Sequence, residues 1–577
     1  MTMEYVEQLR GNELFQRCPF EHVFRNVSQD AFIARLTQQR NVSSEYWSSG
    51  GKNAFVKLVI TLDEKWDANS QQKLNDTILM WACQSLENVI VEVAVAATLI
   101  ESVEQWLLSG NAVGTSTAGV KVVASSKLTF SDAEYIVFGS AGELHHPALA
   151  HSLFTSARNN APEIVNWNYQ LVDKKSLLIK AFQRVPKLEK YSLLANNYVR
   201  NAVAMSSRLL QDQPLATWGT VKGRQSIVLS AALDDDLVCE TIPEYLHIIP
   251  EAENEKVSDS EQIARYHYLK NAELILPSLR VLDGDSAIFV PRQSANSISV
   301  CIPFRDKPEM TIQCMENVAR QNISGQMEIL LVNNQSAAES VGRIAVACRK
   351  IEADHGHIVR CDIVHYNKAF NHSAQCNLAI EQAVGEVIVL LNNDAVIVSD
   401  AAIEQMCAWA LEPDVGTVGC RIEEAEGDLL CAGIKSRLNP GYDFNSVVEE
   451  SREASYADAV RECFANTFAF AAISRRVLEQ VGPLNEIEFP NGYNDVEYNL
   501  RVRRVHLKNL YLGHLIAQHA PGTSRGKCDE LSEKILVRSR FPEMLTDSLF
   551  QLERDDYLLQ RAKKLSAVAS GLQKQVA

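Results

Sequence analysis

Short apolar segments alternate with longer amphipathic stretches along the first half of the chain. The segments are rich in valine, isoleucine and leucine and are bounded by polar residues, as buried strands are. They lie at residues 54–62, 89–99, 120–124, 135–138 and 164–167. Because strands that alternate with helices form βαβ units, this order predicts an α/β domain with a mostly parallel sheet at residues 51–290, behind a helical lead-in at 1–50.

The same alternation restarts after a polar break at residues 291–296, PRQSAN. The predicted elements are strand 297–304, helix 309–322, strand 328–332, helix 337–353, strand 359–365, helix 371–383 and strand 386–391. Both halves therefore begin with the same order of elements, although few residues are identical between them. The pattern predicts a tandem duplication of one α/β domain, with the second copy at residues 297–526.

A helical tail is predicted at residues 527–577. Leu558, Leu565 and Leu572 are spaced seven apart, as in a coiled coil, but three heptads are too few to predict one. A helix packed on its own domain, a homodimer seam and a surface-binding helix all remain open for this segment.

Charge and cysteine content narrow the class of protein. The chain has 56 Lys and Arg against 72 Asp and Glu, a net charge of −16, which argues against a nucleic-acid binder. Its 13 cysteines include no CxxC pair and predict free thiols in a reducing compartment. Neither a signal peptide nor an apolar run near the ~20 residues of a membrane span is evident. We therefore expect a cytoplasmic protein, or one that contacts the inner face of the plasma membrane.

Polar residues in the second half lie where open α/β sheets bind ligands, at the carboxyl ends of strands. Asn494 and Asp495 open a predicted helix farther along, and His519 lies in the segment after that helix. The strand-end residues are Pro303, Arg305, Asp306, Asn333, Asn334, Ser336, Asn392, Asn393 and Asp394.

Asp394 follows a hydrophobic strand, where a carboxylate is costly unless it is paired or binds a metal. Mg²⁺ and Mn²⁺ bind one or two carboxylates together with substrate phosphates, so Asp394 is a candidate ligand. Ordinary structural alternatives remain open at this point: Asp394 as a turn residue, Asp495 as a helix N-cap and His519 as a core histidine. The chain contains no Walker loop, GxGxxG, HExxH or GxSxG motif.

Several segments occur in collinear order across the second half: SVCIPFRDKPE, ILLVNNQS, YNKAFNHSAQCNLAI, GEVIVLLNNDAVIVS, DVGTVGCRI, CAGI, YNDVEYNLRVRR and HAPGTSRG. On these segments, residues 297–526 resemble a family 2 glycosyltransferase with the GT-A fold, in the bacterial rhamnosyltransferase-like branch that builds surface polysaccharides. The first half resembles the same fold more weakly, so the chain is expected to hold two tandem GT-A domains of Rossmann-like topology.

The resemblance implies roles for individual residues. Asp394 and His519 match the metal site for Mn²⁺ or Mg²⁺, and Asp495, preceded by Asn494, matches the catalytic base. The family's usual nucleotide-binding Asp is Asn333 here, which alters or removes the common base and ribose contact. The residues that match positions for the nucleotide or donor are Pro303, Arg305, Asp306, Asn333, Asn334, Ser336, Phe370, Asn371, Asn377, Asn392, Asn393 and, through phosphate, Arg525.

The expected activity is inverting transfer of a sugar from a dTDP- or UDP-sugar to a growing glycan or lipid-linked acceptor. A single base with no second nucleophile implies one displacement at the anomeric carbon. The first domain has no acid at residues 138–142, where the family has its metal motif, so we expect it to be non-catalytic. The alternative is a pseudo-glycosyltransferase that only binds glycan or a partner enzyme. A sugar-nucleotide synthesising enzyme would need a glycine-rich, lysine-bearing loop that is missing here.

Overall fold

A computed structural model describes the protein in two compact units. The described residues are 54–62, 66–82, 84, 89–109, 120–146, 148–173, 179–185, 187–195, 198–211, 228, 234, 237–251, 278–282, 288–437, 443–446, 460–519, 531–542 and 553–554. The first unit comprises Met1–Lys190, Asn197–Tyr268 and Gln551–Ala577, and the second comprises Tyr191–Asn196 and Leu269–Phe550.

The strands follow one another along the chain as β1 Ala54–Thr61, β2 Val89–Val95, β3 Val120–Ala124, β4 Ala133–Ser140, β5 Leu144–His145, β6 Ile164–Asp173, β7 Ile179–Arg184, β8 Val203–Ser206, β9 Cys239–Glu251, β10 Leu279–Leu282, β11 Ile288–Pro291, β12 Ser297–Phe304, β13 Gln326–Asn333, β14 Ile358–His365, β15 Val387–Leu391, β16 Ala395–Ile397, β17 Val415–Glu423, β18 Leu429–Cys431, β19 Ile434–Arg437, β20 Asp443–Ser446, β21 Val460–Glu462, β22 Phe470–Ser474, β23 Lys508–His519 and β24 Glu553–Arg554.

The helices are α1 Ala68–Ala82, α2 Ile100–Leu108, α3 Leu149–Asn160, α4 Lys190–Ala195, α5 Ser207–Gln211, α6 Pro308–Ala319, α7 Ala338–Asp354, α8 His372–Gln382, α9 Ala402–Ala410, α10 Arg475–Val481, α11 Asn494–Arg504 and α12 Leu531–Arg540.

The two main sheets share one strand order. In the first unit it is β3-β2-β1-β4-β8-β6, with β9 beside β6 and β5 beside β9; in the second it is β14-β13-β12-β15-β22-β17-β23-β16. Each strand pair also has the same direction in both units: the first four strands are parallel, β6–β9 and β17–β23 are parallel, and the remaining shared pairs are antiparallel. The predicted tandem Rossmann-like α/β domains are confirmed, with mixed sheets whose leading halves are parallel.

The leading strands form because their residues are apolar on both faces. Every residue of β15 is buried, as are the six central residues of β1, because helices cover both sides of a parallel sheet. The exception in β1 is Lys57, whose fully buried ammonium lies 3.1 Å from Glu92, pairs with Asp132 and donates to the Thr129 carbonyl at 2.9 Å. Pairing of this kind offsets the cost of burying the charge.

The second unit includes a segment from the first half of the chain, Tyr191–Asn196. The Tyr191 hydroxyl donates to Asp414 at 2.5 Å, and its ring lies edge-on to Trp409 with centroids 5.4 Å apart. The unit otherwise begins at Leu269, ahead of the polar break at 291–296 that the sequence pattern indicated. A short-range pattern cannot report this segment because its partners are distant in the sequence.

Other predictions fall partly outside the described residues. The helical lead-in at 1–50 and the leucine heptads of the tail lie outside them, whereas α12 lies within the predicted tail. The described cysteines are free, and all but Cys239 are buried. Within the described residues, no helix has the length and apolar character needed to cross a membrane.

The first unit should lose stability in mild acid through His146. Burial lowers the pKa of His146 to about 3, so the folded side chain stays neutral while the unfolded one binds a proton below pH 6.5. Stability therefore falls as the pH drops from 6.5 toward 3, by about 2 kcal/mol between pH 6.5 and 5 from this residue alone. Urea unfolding at pH 7.5 and 5.0 measures the loss.

The His146→Asn variant provides the comparison, since an asparagine oxygen can still accept from the Ala148 N–H, which lies 3.0 Å from His146 Nδ1. Between pH 6.5 and 5, the unfolding free energy of this variant should fall less steeply with decreasing pH than that of the wild type. The difference in slope corresponds to about one proton fewer bound on unfolding. An identical pH dependence in both proteins would contradict the conclusion that the buried His146 causes the loss of stability in acid.

Candidate active site

The loops after β12 and β13 are bonded to each other. The Asp306 N–H donates to Ser336 Oγ at 2.8 Å, and Asp306 Oδ1 accepts from the Ala337 N–H at 2.8 Å. The Asn334 N–H donates to the Phe304 carbonyl at 3.0 Å. The two strand ends that the sequence predicts as nucleotide-binding are therefore one connected edge of the sheet.

Asn333 ends β13, and both polar atoms of its side chain have partners. Oδ1 accepts from the Ser336 N–H at 2.9 Å, and Nδ2 lies 3.1 Å from His365 Nδ1 at the end of β14. The neighbouring Asn334 donates to the carbonyls of Tyr366 and Lys368 at 3.3 and 3.0 Å. Both asparagines thus join the ends of β13 and β14.

Arg305 offers a positive charge at this edge. It is exposed and makes no hydrogen bond or ion pair with any described residue, so it can bind an anion. Pro303 is half-buried, lies in register with Val332 and is the last residue but one of β12.

Asp394 and His519 meet across the pairing of β16 with β23, in which Ala395 lies opposite His519. Asp394 Oδ1 is 2.9 Å from His519 Nε2, and Asn392 Nδ2 is 3.2 Å from the same nitrogen. Burial and the charge of Asp394 raise the pKa of the neighbouring Cys314 to about 12, so this thiol stays neutral. Asn393 instead donates to Thr311 Oγ1 at 3.1 Å.

The Asp394–His519 pair fits a divalent cation. Two ligands that each lie about 2.1 Å from a cation, at a right angle, are about 3.0 Å apart, close to the observed spacing. Within the described residues, no group of three or more His, Cys, Asp or Glu side chains could hold a metal. A cation at this pair would therefore need oxygen ligands from a bound phosphate or from water.

Asp495 is the second residue of α11, and Tyr493 is its N-cap. Asp495 Oδ1 accepts from the Val496 N–H at 2.8 Å, so the carboxylate lies at the positive end of the helix, which favours negative charge. Tyr493 has φ 51°, a left-handed conformation that costs a non-glycine residue roughly 1–2 kcal/mol. Contacts elsewhere must offset that cost for the helix to begin at this point.

Asn494 is buried beneath this helix start. Its Nδ2 donates to Ser373 Oγ at 3.0 Å and lies 3.1 Å from His372 Nδ1. Asn494 therefore joins the first turns of α11 and α8 and supports the position of Asp495.

A buried polar network connects α11 to the Asp394 end of the sheet. Asn499 donates to the Asp495 carbonyl at 2.7 Å and to the Asn466 carbonyl at 3.1 Å. Asn466 begins the segment that reaches Ala469, whose carbonyl accepts from the Asn392 N–H at 2.9 Å. Hydrogen bonds at Asn392 and Asn499, together with the chain segment 466–469, therefore connect the candidate metal site to the backbone of the candidate base.

Three predicted donor-binding residues lie in or next to α8, and two of them hold the chain ahead of α11. Asn371 Nδ2 donates to the Glu486 carbonyl at 2.9 Å, and its Oδ1 caps α8 through the Ala374 N–H. Asn377 donates to the Leu484 carbonyl at 2.9 Å. Phe370 is 40% exposed, so its aromatic ring is accessible to a ligand. Arg525 lies outside the described residues.

The first unit has its own carboxylate–histidine pair at the corresponding strand end, which the sequence analysis missed. Glu143 Oε2 lies 3.3 Å from His247 Nε2, and Asn201 and the Ser140 N–H also donate to this carboxylate. His145 stacks on His247 at 4.2 Å, and both rings are fully buried. The acid follows residues 138–142 directly, but only the β5–β9 pairing brings the histidine to it.

Comparison with known proteins finds a family model that matches part of the second unit. Residues 299–482 match Glycosyl transferase family 2. "Uncharacterized protein y4gI" of Sinorhizobium fredii (strain NBRC 101917 / NGR234) is 24% identical over 288 residues, 47% of this chain and 31% of that protein. "O-antigen biosynthesis protein RfbC" of Myxococcus xanthus is 26% identical over 247 residues, 42% of this chain and 19% of that protein. The chain spans less than a third of the length of these relatives.

Solved structures with some likeness include GalNAc-T7 with UDP, GalNAc and Mn²⁺, at 12% identity and TM-score 0.36, covering 44% of this chain and 50% of that chain. The mannosyltransferase PcManGT from Pyrobaculum calidifontis, in complex with GDP-Man and Mn²⁺, has 13% identity and TM-score 0.31, covering 53% of this chain and 82% of that chain.

Replacing Asn499 should destabilise the second unit markedly. Asn499→Ala leaves the buried Asn466 N–H and carbonyl without their partner, at roughly 1–3 kcal/mol for each group left unpaired. The Thr417 hydroxyl loses Asn499 as well but keeps Asn509 as a partner. Urea unfolding should show a loss of about 2–4 kcal/mol. The control Asn367→Ala, at an exposed position, should change stability by less than about 0.5 kcal/mol. Equal effects at the two sites would refute the network's role.

Proposed function

We propose, on the premise that residues 299–482 form a family 2 glycosyltransferase domain, that the second unit transfers a sugar from a nucleotide-sugar donor to an acceptor hydroxyl. The observation that carries the proposal is the 2.9 Å Asp394–His519 pair, connected through hydrogen bonds and the chain segment 466–469 to the helix start that holds Asp495. The activity of the whole protein is part of this proposal.

The donor's diphosphate belongs at the sheet edge formed by the ends of β12, β13 and β15. Asp394 and His519 would hold Mn²⁺ or Mg²⁺, which as a Lewis acid would neutralise the leaving diphosphate. Exposed Arg305 can pair with phosphate, and Arg525 is proposed for the same role. The net charge of −16 disfavours an anionic donor, so these local groups must provide the attraction.

The nucleoside is proposed to bind at the connected β12–β13 edge, which Pro303, Asp306, Asn333, Asn334 and Ser336 form. The Asn333 side chain is already bonded to Ser336 and His365. We therefore propose that it shapes this edge for the nucleoside and does not make the carboxylate contact that is usual in the family. Asn392 and Asn393 are proposed to line the diphosphate side, and Phe370 to contact the donor with its exposed ring.

Asp495 is proposed as the general base. It takes the proton of the acceptor hydroxyl while that oxygen bonds to the anomeric carbon and the carbon–oxygen bond to the diphosphate breaks. The displacement occurs once, so the anomeric configuration is inverted. Asn494 joins the start of α11 to α8 and in this way supports the position of the carboxylate.

The donor is proposed to be a dTDP- or UDP-sugar, in keeping with the resemblance to rhamnosyltransferases. The acceptor is proposed to be a growing bacterial surface glycan or a lipid-linked glycan. The 26% identity to an O-antigen biosynthesis protein supports that class of product.

The first unit is proposed to be a non-catalytic scaffold or acceptor-binding domain. Its strand-end carboxylate, Glu143, already accepts hydrogen bonds from the Ser140 N–H and from Asn201. His145 packs against His247 where a ligand would need space. The region that would correspond to α11, at residues 224–233, lies mostly outside the described residues.

Calorimetry and turnover together separate the two proposed roles. Asp394→Asn should weaken Mn²⁺-dependent binding of UDP or dTDP at least about 10-fold, since one of two cation ligands is weakened. Asp495→Asn should keep nucleotide binding within about twofold and slow sugar transfer by about 10²–10⁴-fold.

Asp354→Asn is the matched control, since Asp354 is exposed and distant in sequence from both sites, and it should match the wild type in binding and turnover. Full activity in Asp495→Asn would exclude it as the base. Nucleotide binding without any turnover in the wild type would favour the pseudo-glycosyltransferase.

Removal of the cation gives an independent prediction. Treatment with EDTA should abolish nucleotide binding, and excess Mn²⁺ or Mg²⁺ should restore it, because few protein groups would hold the diphosphate without a cation. Unchanged affinity after chelation would contradict a metal-dependent site.

A further inference from the structure

Helix α12 carries a buried carboxylate that binds the backbone just ahead of the proposed base. Glu533 is 7% exposed. Its Oε1 accepts from the Asn491 N–H at 3.2 Å, and its Oε2 accepts from the Gly492 N–H at 2.6 Å. Tyr493, Asn494 and Asp495 follow these two residues directly, so Glu533 holds the chain at the entrance to α11.

Packing fixes α12 and therefore fixes Glu533. Val537 of α12 and Phe541, which directly follows the helix, are almost fully buried. The Arg504 guanidinium of α11 lies 4.1 Å from the Phe541 ring centroid, and Arg540 pairs with Glu488 at 2.5 Å. A carboxylate on an anchored helix can set the position of a loop that has no regular secondary structure of its own.

We propose that Glu533 is a positioning residue for Asp495, an inference that rests on the proposed function of that residue. A carboxylate accepts from two N–H groups at once, with charge-assisted bonds that are stronger than neutral ones. These bonds fix the two residues before Tyr493, which must hold its left-handed conformation for α11 to begin. Glu533 lies beyond residues 299–482, which match the family.

The Glu533→Gln variant tests the proposal. Glutamine is uncharged and replaces one of the two accepting oxygens with an N–H₂ group, which opposes one of the two backbone N–H groups. Turnover is read as Mn²⁺-dependent release of nucleoside diphosphate from dTDP-rhamnose or UDP-glucose. We expect kcat to fall about 10- to 100-fold, since a displacement of a reacting group by about 1 Å can lower the rate about 10²-fold. The donor KM should stay within about twofold, because Asp394 and His519 are untouched.

Hydrogen–deuterium exchange provides a readout that does not need activity. Peptides covering residues 488–496 should exchange at least about fivefold faster in Glu533→Gln, since two amide hydrogens lose a charged acceptor. Peptides covering β12 and β15 should be unchanged.

Two further variants keep the result interpretable. Glu479→Gln makes the same chemical change at an exposed glutamate of α10, outside the loop and α12, and it should leave kcat and exchange near wild-type values. Glu533→Asp keeps the carboxylate and should retain more kcat than Glu533→Gln.

Equal losses in Glu533→Asp and Glu533→Gln would show that keeping the carboxylate gives no advantage and would overturn the proposal. Unchanged exchange at 488–496 in Glu533→Gln would overturn it as well, even if no donor is turned over. Absence of turnover in the wild type, with faster exchange in the variant, would instead refute the proposed function and leave the backbone contact established.

Discussion

The loop at residues 482–493 is the constraint on which the proposed chemistry depends. It has no regular structure, so side chains from three helices satisfy its backbone: Asn371, Ser373 and Asn377 from α8, Arg501 from α11 and Glu533 from α12. The bonds from Ser373, Asn377 and Glu533 are buried or partly buried, where an unpaired backbone group is costly. The position of Asp495 is therefore the result of many long-range contacts, and a change in any one helix can move it.

The other half of the site has a different origin. Asp394 and His519 are brought together by strand pairing, so the sheet alone fixes the proposed diphosphate end, while the loop fixes the acceptor end. The first unit repeats the sheet strand for strand and also brings a carboxylate and a histidine together, yet it encloses them with His145 and Asn201. A duplicated fold has thus kept the strand order while the groups at the strand ends diverged, because packing constrains the core more than it constrains the loops.

The sequence predicts local elements well where one physical signal dominates. β12, β3 and β14 occur at or within one residue of their predicted bounds because continuous apolar runs have few alternatives. The same signal cannot report pairings between distant segments, so it missed the packing of Tyr191 against Trp409 and the meeting of Glu143 with His247. Glu533 lacks a local signal for the same reason, since its partners lie 41 and 42 residues earlier. The sequence therefore indicates candidate residues that follow strands, but it does not indicate the distant side chains that hold those residues in place.

The central claim is that the second unit transfers a sugar from a nucleotide donor with the help of a divalent cation. The most direct test is mass spectrometry of the products formed by the full chain with a panel of dTDP-, UDP- and GDP-sugars and a bacterial glycan acceptor. The account predicts an acceptor heavier by one sugar, together with free nucleoside diphosphate, from a dTDP- or UDP-sugar and only when Mn²⁺ or Mg²⁺ is present. Failure to form any glycosylated product across the panel, with the cation supplied, would contradict it.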